Sequence, residues 1–295
     1  MKVKGLILVL ALVMAMAGFE IKAGESDCQT LIDQSEKFWM EENFDKSDQL
    51  LNQAKQLCPN RAEIYWRLAR NIYDRIESLP RAERPPKPER IRQYEKMIQL
   101  ADKCIELDPN DGNCWLWKGI GVGRRGTTKG ILNSLADIDE LEEYWKKAEE
   151  LKPTYRAEDG SANAMGDIYN ALGQFYRVVP DWWIIKVLFG TRGDISKSVE
   201  YQRKAVALEP ERIEYNKELG VSLICYGQKK KDPKAIEEGK EYLKKVLELP
   251  IHKPSDQIDK KHSKILLENP DLACTYSRDA QQVVSKEEFE KTQKK

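Results

Sequence analysis

Apolar residues recur along this chain at the three- and four-residue intervals of a helix, as at Ile64, Leu68, Ile72 and Ile76, then Tyr94, Ile98, Ala101 and Ile105. Strand-like alternation is absent over any useful length. The helical runs stop at a repeated phrase: a small residue, two further residues, leucine, one residue, proline. It reads Ala54-Lys55-Gln56-Leu57-Cys58-Pro59, Cys104-Ile105-Glu106-Leu107-Asp108-Pro109, Ala148-Glu149-Glu150-Leu151-Lys152-Pro153 and Ala205-Val206-Ala207-Leu208-Glu209-Pro210, with a compressed copy at Val246-Leu247-Glu248-Leu249-Pro250. The small residue permits close helix approach, the leucine is expected to pack on the neighbouring helix, and proline cannot extend the hydrogen-bond ladder. The leucines lie 50, 44, 57 and 41 residues apart. Helical units that cannot hide their apolar faces alone must stack, so the pattern predicts an all-α solenoid of about five helical hairpins.

The units resemble the tetratricopeptide repeat, a helix-turn-helix of about 34 residues whose first helix carries W-x2-L-G-x2-Y. Tyr169-Asn170-Ala171-Leu172-Gly173-Gln174-Phe175-Tyr176 fits that motif with tyrosine for tryptophan. Tyr65, Leu68, Ala69 and Ile72 fit it loosely, as do Leu219-Gly220 and, in part, Trp115 with Gly119. In second helices Ser47, Ser198 and Gly239 occupy the close-contact position, from which Met97 and Leu141 depart. The excess over the repeat length falls at Pro80 to Pro88, Arg124 to Gly130, Pro180 to Gly193 and Gly227 to Pro233, between paired helices, and between Pro153 and Tyr169. Insertions at one position of successive repeats project from one edge. Ala101 to Pro109, Leu188-Phe189-Gly190 and Leu243 to Pro250 are similar to the repeat region of the regulator-of-microtubule-dynamics family, and Trp182 to Asp194 is similar to exported bacterial repeat proteins akin to the T-component of TRAP transporters.

The N-terminus adds a compartment. Lys2 and Lys4 precede an unbroken apolar run from Leu6 to Met16, followed by Ala17 and Gly18, the layout of a secretory signal peptide cleaved after Ala17 or Ala23. An uncleaved anchor is the alternative, although a span needs about 20 apolar residues. Cys28 follows Glu25-Ser26-Asp27 rather than the small residues that lipid attachment uses. The expected layout is a signal peptide over 1–23, a helical repeat domain over 24–250 and a C-terminal capping helix with a charged tail over 251–295; Ser255 is a candidate cap for that helix, which would run to about Glu268. The expected location is extracytoplasmic, periplasmic or secreted.

Export makes the six cysteines disulfide candidates. If Cys28 opens one helix and Cys58 closes its antiparallel partner, both lie at one end of the hairpin; Cys104 and Cys114 flank a tight turn. Buried free thiols are the other reading. No C-x-x-C spacing marks a zinc or thioredoxin-like site.

Lysine and arginine total 49 against 49 aspartates and glutamates, which removes the footprint of a general nucleic-acid binder. With only His252 and His262, a three-histidine metal site is excluded; both histidines are expected to be solvated. Gly121-Val122-Gly123-Arg124-Arg125-Gly126 spells a dinucleotide fingerprint, but it follows a repeat helix instead of a strand, and Thr127 stands where a P-loop needs lysine. It reads as a flexible loop, with anion contacts from Arg124, Arg125 and Lys129 as the sharper alternative. Arg192-Gly193-Asp194 matches the adhesion tripeptide, yet Asp194 also suits a helix cap.

Two sets of residues remain as binding candidates. The repeat resemblance implies that Trp39, Trp66, Arg70, Tyr73, Leu116, Arg124, Asn170, Gln174 and Arg177 face the concave groove, where tryptophan, tyrosine and arginine would anchor a partner; packing between helices is the alternative for Trp39 and Trp66. The segment Val178 to Phe189 carries Trp182, Trp183 and six aliphatic residues, so it either folds back on the core or offers an apolar face. No nucleophile with an identifiable base, no metal site and no cofactor motif emerges. The expected function is an exported, non-enzymatic scaffold that binds a protein partner, an envelope or transporter component included; the alternative is a transporter-associated periplasmic component holding an apolar small molecule.

Overall fold

The computed structural model of the chain describes residues 27–130, 134, 137–158, 160 and 162–277. The expected signal peptide and most of the charged C-terminal tail lie outside the described residues.

The chain runs through α1 (27–40), α2 (Phe44–Leu57), α3 (Ala62–Glu77), α4 (Lys87–Leu107), α5 (Gly112–Lys129), α6 (Ile138–Leu151), α7 (Ala164–Val178), α8 (Trp183–Phe189), α9 (Ile195–Leu208), α10 (Ile213–Lys230), α11 (Pro233–Glu248) and α12 (Pro254–Glu268). No sheet forms among the described residues; extended pairing is confined to an isolated bridge between Arg156 and Asn163. Five hairpins result, α1–α2, α3–α4, α5–α6, α7–α9 and α10–α11, with α12 packed against the last.

The repeated phrase marks helix ends closely: α2, α4, α6 and α9 terminate at Leu57, Leu107, Leu151 and Leu208, ahead of each proline. Its small residues Ala54, Cys104, Ala148 and Ala205 are fully buried. Two of the leucines correct the expectation of neighbour packing, Leu57 being 54% and Leu208 43% exposed, while Leu107 packs against the core. Each exposed leucine is the last residue of its helix and lies past the cover of the next one. The starts of α2, α5, α7, α9 and α11 carry side-chain caps. Asp194 Oδ1 accepts the backbone N–H groups of Ser196 and Lys197, and Asp232 those of Lys234 and Ala235.

Two of the insertions are shorter than the sequence predicts, because Arg124 to Lys129 and Gly227 to Lys230 extend α5 and α10. The G-x-G-x-x-G stretch is therefore helical, which removes the loop reading. A Cβ at Gly121 would lie 2.9 Å from Ile98 Cγ1, so this glycine admits the bulk of α4. At the other junction Gly239 faces Gly220, where a Cβ would meet the Gly220 carbonyl oxygen at 2.6 Å.

At the C-terminal end Ser255 lies inside α12. The turn is held by Asp256, whose Oδ2 accepts the N–H of His252 and of Lys253. Buried Lys217 and Asp259, 2.6 Å apart, join α10 to α12. His262 corrects the expectation of a solvated ring: its Nδ1 lies 3.0 Å from the Tyr276 hydroxyl.

Candidate functional site

The first helices of the hairpins line a concave cavity of about 280 Å³, bounded at its far end by the His252–Lys253 turn and Ser277. Trp39, Arg70, Tyr73, Leu116, Arg124, Asn170, Gln174 and Arg177 all contribute to this lining. Trp66 does not. It is 2% exposed and packs at 4.9 Å against Tyr155, a residue of the α6–α7 loop that reaches back to α3. The sequence could not show this return, because it depends on a loop crossing between repeats.

The N-terminal wall is a charge network. Arg70 donates two hydrogen bonds to Glu36 (2.6 and 3.0 Å), Tyr155 donates one at 2.5 Å, and Arg67 also pairs with Glu36. The Arg70 guanidinium lies 3.7 Å from the Trp39 ring centroid, and the Trp39 indole N–H donates to Asp74 Oδ2 at 2.7 Å. Burial alone would lift the Glu36 pKa, but the charges and hydrogen bonds of Arg70 and Arg67 hold it below the ordinary carboxylate value. Asp74 goes the other way: burial, with repulsion from Asp167, raises it despite Lys253, Arg70 and Trp39.

The central wall is apolar around Leu116, Ile120, Leu141, Trp145 and Phe175. Arg124 and Arg177 project beside it but are committed, Arg124 to Glu77 at 2.5 Å and Arg177 to Glu218 at 2.5 Å and to the Tyr276 carbonyl at 2.7 Å. Arg125 pairs with Asp137 and Lys129 with Glu95. A shared anion site for Arg124, Arg125 and Lys129 is therefore replaced by three separate ion pairs.

The opposite wall comes from α7, α10 and the turn before α12. Tyr215 donates to Asp167 at 2.6 Å, Arg212 lies 3.4 Å from Asp167 and 3.9 Å from Glu214, and Lys253 is 4.0 Å from Glu214. Burial raises the Asp167 pKa, with Glu214 adding repulsion. Glu42, in a left-handed turn after α1 (φ 56°), is likewise raised by burial and by Asp74. Sequence reasoning missed Glu42, Asp74, Asp167, Glu214 and Lys253, since each is an ordinary charged residue until the superhelix brings the five together.

The second candidate surface is α8. Ile185 is fully buried against the α6–α7 core, Trp182 is half-buried, and Trp183, Val187 and Leu188 are 70%, 56% and 49% exposed. The segment thus folds back along one face and leaves the other open. The neighbouring Arg192 pairs with Asp181, and Asp194 caps α9, so both charged residues of the adhesion-like tripeptide have structural duties.

The cysteines form three pairs, Cys28–Cys58, Cys104–Cys114 and Cys225–Cys274. The last ties α10 to the 3₁₀ turn Pro270–Thr275 and is not legible in the sequence, because that turn is not periodic. Among the described residues no helix is long and apolar enough to cross a membrane.

Comparison places this geometry among known folds. A thermophilic TPR protein of Thermus thermophilus is 13% identical, with a TM-score of 0.54, covering 81% of this chain and 100% of its own. MamA of Desulfovibrio magneticus RS-1 is 16% identical (TM-score 0.41, 76% and 94% covered), and YrrB, described as a TPR protein with an unusual peptide-binding site, 14% (TM-score 0.41, 84% and 97%). No curated protein matches the chain. The molecule is an α-solenoid of the tetratricopeptide type. The family model "Regulator of microtubule dynamics protein 1-3" matches residues 31–158, α1 to the loop after α6, and over that stretch the chain is related to that family.

Proposed function

We propose that this chain is an exported, non-enzymatic helical-repeat scaffold that binds a protein partner, an envelope or transporter component among the candidates. The observation that carries the reading is the open face of α8. A seven-residue helix anchored by Ile185 presents Trp183, Val187 and Leu188 to solvent, and large exposed apolar side chains grouped on one face mark interaction sites. Tryptophan is also the residue that most often dominates binding energy at protein interfaces. Export is supported by the sequence of residues 1–23 and by the paired cysteines.

The alternative, a transporter-associated component holding an apolar small molecule, calls for an apolar hollow beside α8. The hollow there is lined by Glu142, Lys146, Lys186, Arg192 and Lys197, which suits a polar surface better.

A pull-down from cell-envelope extract with the wild-type chain and with W183A tests the reading. The variant should keep its helical circular dichroism, since Trp183 is 70% exposed, and lose the captured partner. Equal capture by both proteins would remove α8 as the docking surface. Mass spectrometry of the N-terminus tests export: removal of residues up to Ala17 or Ala23 is expected, and an intact leader contradicts it.

A further inference from the structure

We propose that the acidic end of the concave cavity binds an alkylammonium group, carried either by a lysine side chain of a peptide or by a free diamine. The inference goes beyond the α8 surface and does not depend on it.

Four carboxylates from four elements line this end: Glu42 from the α1–α2 turn, Asp74 from α3, Asp167 from α7 and Glu214 from α10. Facing them are Arg212 and Lys253. Four formal negative charges against two positive ones leave an excess of negative charge in a partly enclosed, low-dielectric space, where an added cation is attracted far more strongly than in water. Arg70 is felt at Asp74, but Glu36 engages both its terminal nitrogens and brings a compensating negative charge, so the pair leaves the excess in place.

Asn170 points to the same kind of ligand independently. It is 5% exposed, lines the cavity, and donates through Nδ2 to Glu214 at 3.1 Å, while its Oδ1 has no hydrogen-bond partner. Such an oxygen is satisfied by an O–H or N–H donor, and an ammonium supplies three of the latter. A buried acceptor left unsatisfied is costly, so a donor supplied by a ligand is favoured.

Spacing selects an organic cation over a metal ion. Among the described residues no three of the four carboxylates bring ligand atoms within 4.8 Å of one another, as a shared metal would require. Apolar and aromatic side chains, Trp39, Met40, Phe44 and Tyr73, line the same cavity as the acids and suit a methylene chain carrying an ammonium head. The chain itself supplies the precedent: the Lys253 ammonium sits among these carboxylates, 4.0 Å from Glu214, and its charge is felt at Glu42, Asp74 and Asp167. Lys253 is an internal occupant of the site that an incoming ammonium must share or displace.

Titration calorimetry of the full chain with cadaverine, and separately with acetyl-Leu-Lys-Leu-amide, tests the site. Saturable binding is expected for at least one, with no binding of the same peptide carrying ε-acetyllysine. Tighter binding of the diamine assigns the site to a free amine; tighter binding of the peptide assigns it to a protein segment. D74N and E42Q, each checked for unchanged circular dichroism, should weaken the preferred probe about tenfold or more. K253M removes the internal ammonium and should tighten it. W183A should leave the affinity unchanged, so failure here and failure of the α8 reading are separable. Absence of binding by both probes, equal binding of the acetylated peptide, or affinities untouched by D74N and E42Q would overturn the proposal; an unchanged K253M affinity would overturn the role of Lys253.

Discussion

Glu36 illustrates how one carboxylate can organise a wall. Arg70 is 1% exposed and takes its carboxylate partner from Glu36, whereas Arg67, 7% exposed, pairs with both Glu36 and Glu63. Removing one partner of a buried pair leaves the other uncompensated, at a cost of about 3 kcal/mol or more. E36A should therefore lower the free energy of urea unfolding by that amount, with a lower midpoint, whereas truncating Arg75, whose salt bridges are half-exposed, should change it by well under about 1 kcal/mol. A midpoint unchanged in E36A would show that the network contributes little. The signs of the pKa shifts separate these acids further. Glu36 is lowered from 4.5, so its contribution to stability is present above that value and is lost as pH falls through the lower folded value. Asp74 and Asp167 are raised from 3.8, so the folded state takes up their protons first on acidification and these two groups favour folding there. The same protonation discharges the cation site, which Arg212, Lys253, Glu42, Glu214, Tyr215, Asp256 and His252 also face. Affinity for the ammonium probe should fall with decreasing pH, beginning above the ordinary aspartate value, and calorimetry at a series of pH values reads it directly. Rising affinity on acidification would contradict the raised carboxylates.

At the scale of elements, helix ends and hairpin order are legible in the sequence because they rest on local rules: proline after the stop and aspartate or asparagine at the start act within a turn. Faces are less legible. Met97 and Leu141 depart from the small residue of the repeat, and the compensation lies on the facing helix, where α5 carries Gly119, Gly121 and Gly123 against Trp145, Ile98 and Leu141. A periodic reading of one helix cannot see that the small partner has moved to another. The same glycines suggest a loop in the bare sequence, because glycine signals flexibility locally and close packing only in tertiary context. Groove residues assigned by repeat register reach the cavity in nearly every case, while Trp66 is withdrawn by the long-range Tyr155 contact. The tight approach of α10 and α11 gives a direct test. G239A would place a Cβ 2.6 Å from the Gly220 carbonyl oxygen, a backbone atom that cannot rotate away. It should cost about 1–3 kcal/mol and lower the thermal midpoint. A variant as stable as wild type would mean that α10 and α11 separate without penalty.

At the scale of the whole molecule, a solenoid is held by contacts between neighbours, so its ends fray unless they are fixed. Cys28–Cys58 fixes the first hairpin at its open end, and Cys104–Cys114 clamps the turn between α4 and α5. Cys225–Cys274 has a wider effect because of what it carries. The turn it pins supplies the Tyr276 carbonyl that accepts from Arg177, the Tyr276 hydroxyl beside His262, and the Pro270 carbonyl that accepts from Gln228 at 2.8 Å. Arg177 is 4% exposed and lines the cavity, so the last described turn helps fix a groove side chain on α7. C225S/C274S should release that turn. Closing a loop of this length contributes about 2–4 kcal/mol in small domains, and a loss of that order should appear in the free energy of urea unfolding. Local release has a more specific signature: limited proteolysis should cut first between Pro254 and Ser277 in the variant and not in the wild type, while Cys28–Cys58 survives in non-reducing peptide maps. Amine affinity should also drop, because the released segment carries Ser277 and anchors Arg177, both of which line the cavity, even though neither cysteine touches it. Loss of stability with unchanged proteolysis and unchanged affinity would confine the bond to a generic brake on unfolding. Coupled changes in all three would establish that the disulfide, the terminal turn and the acidic cavity act as one mechanical unit.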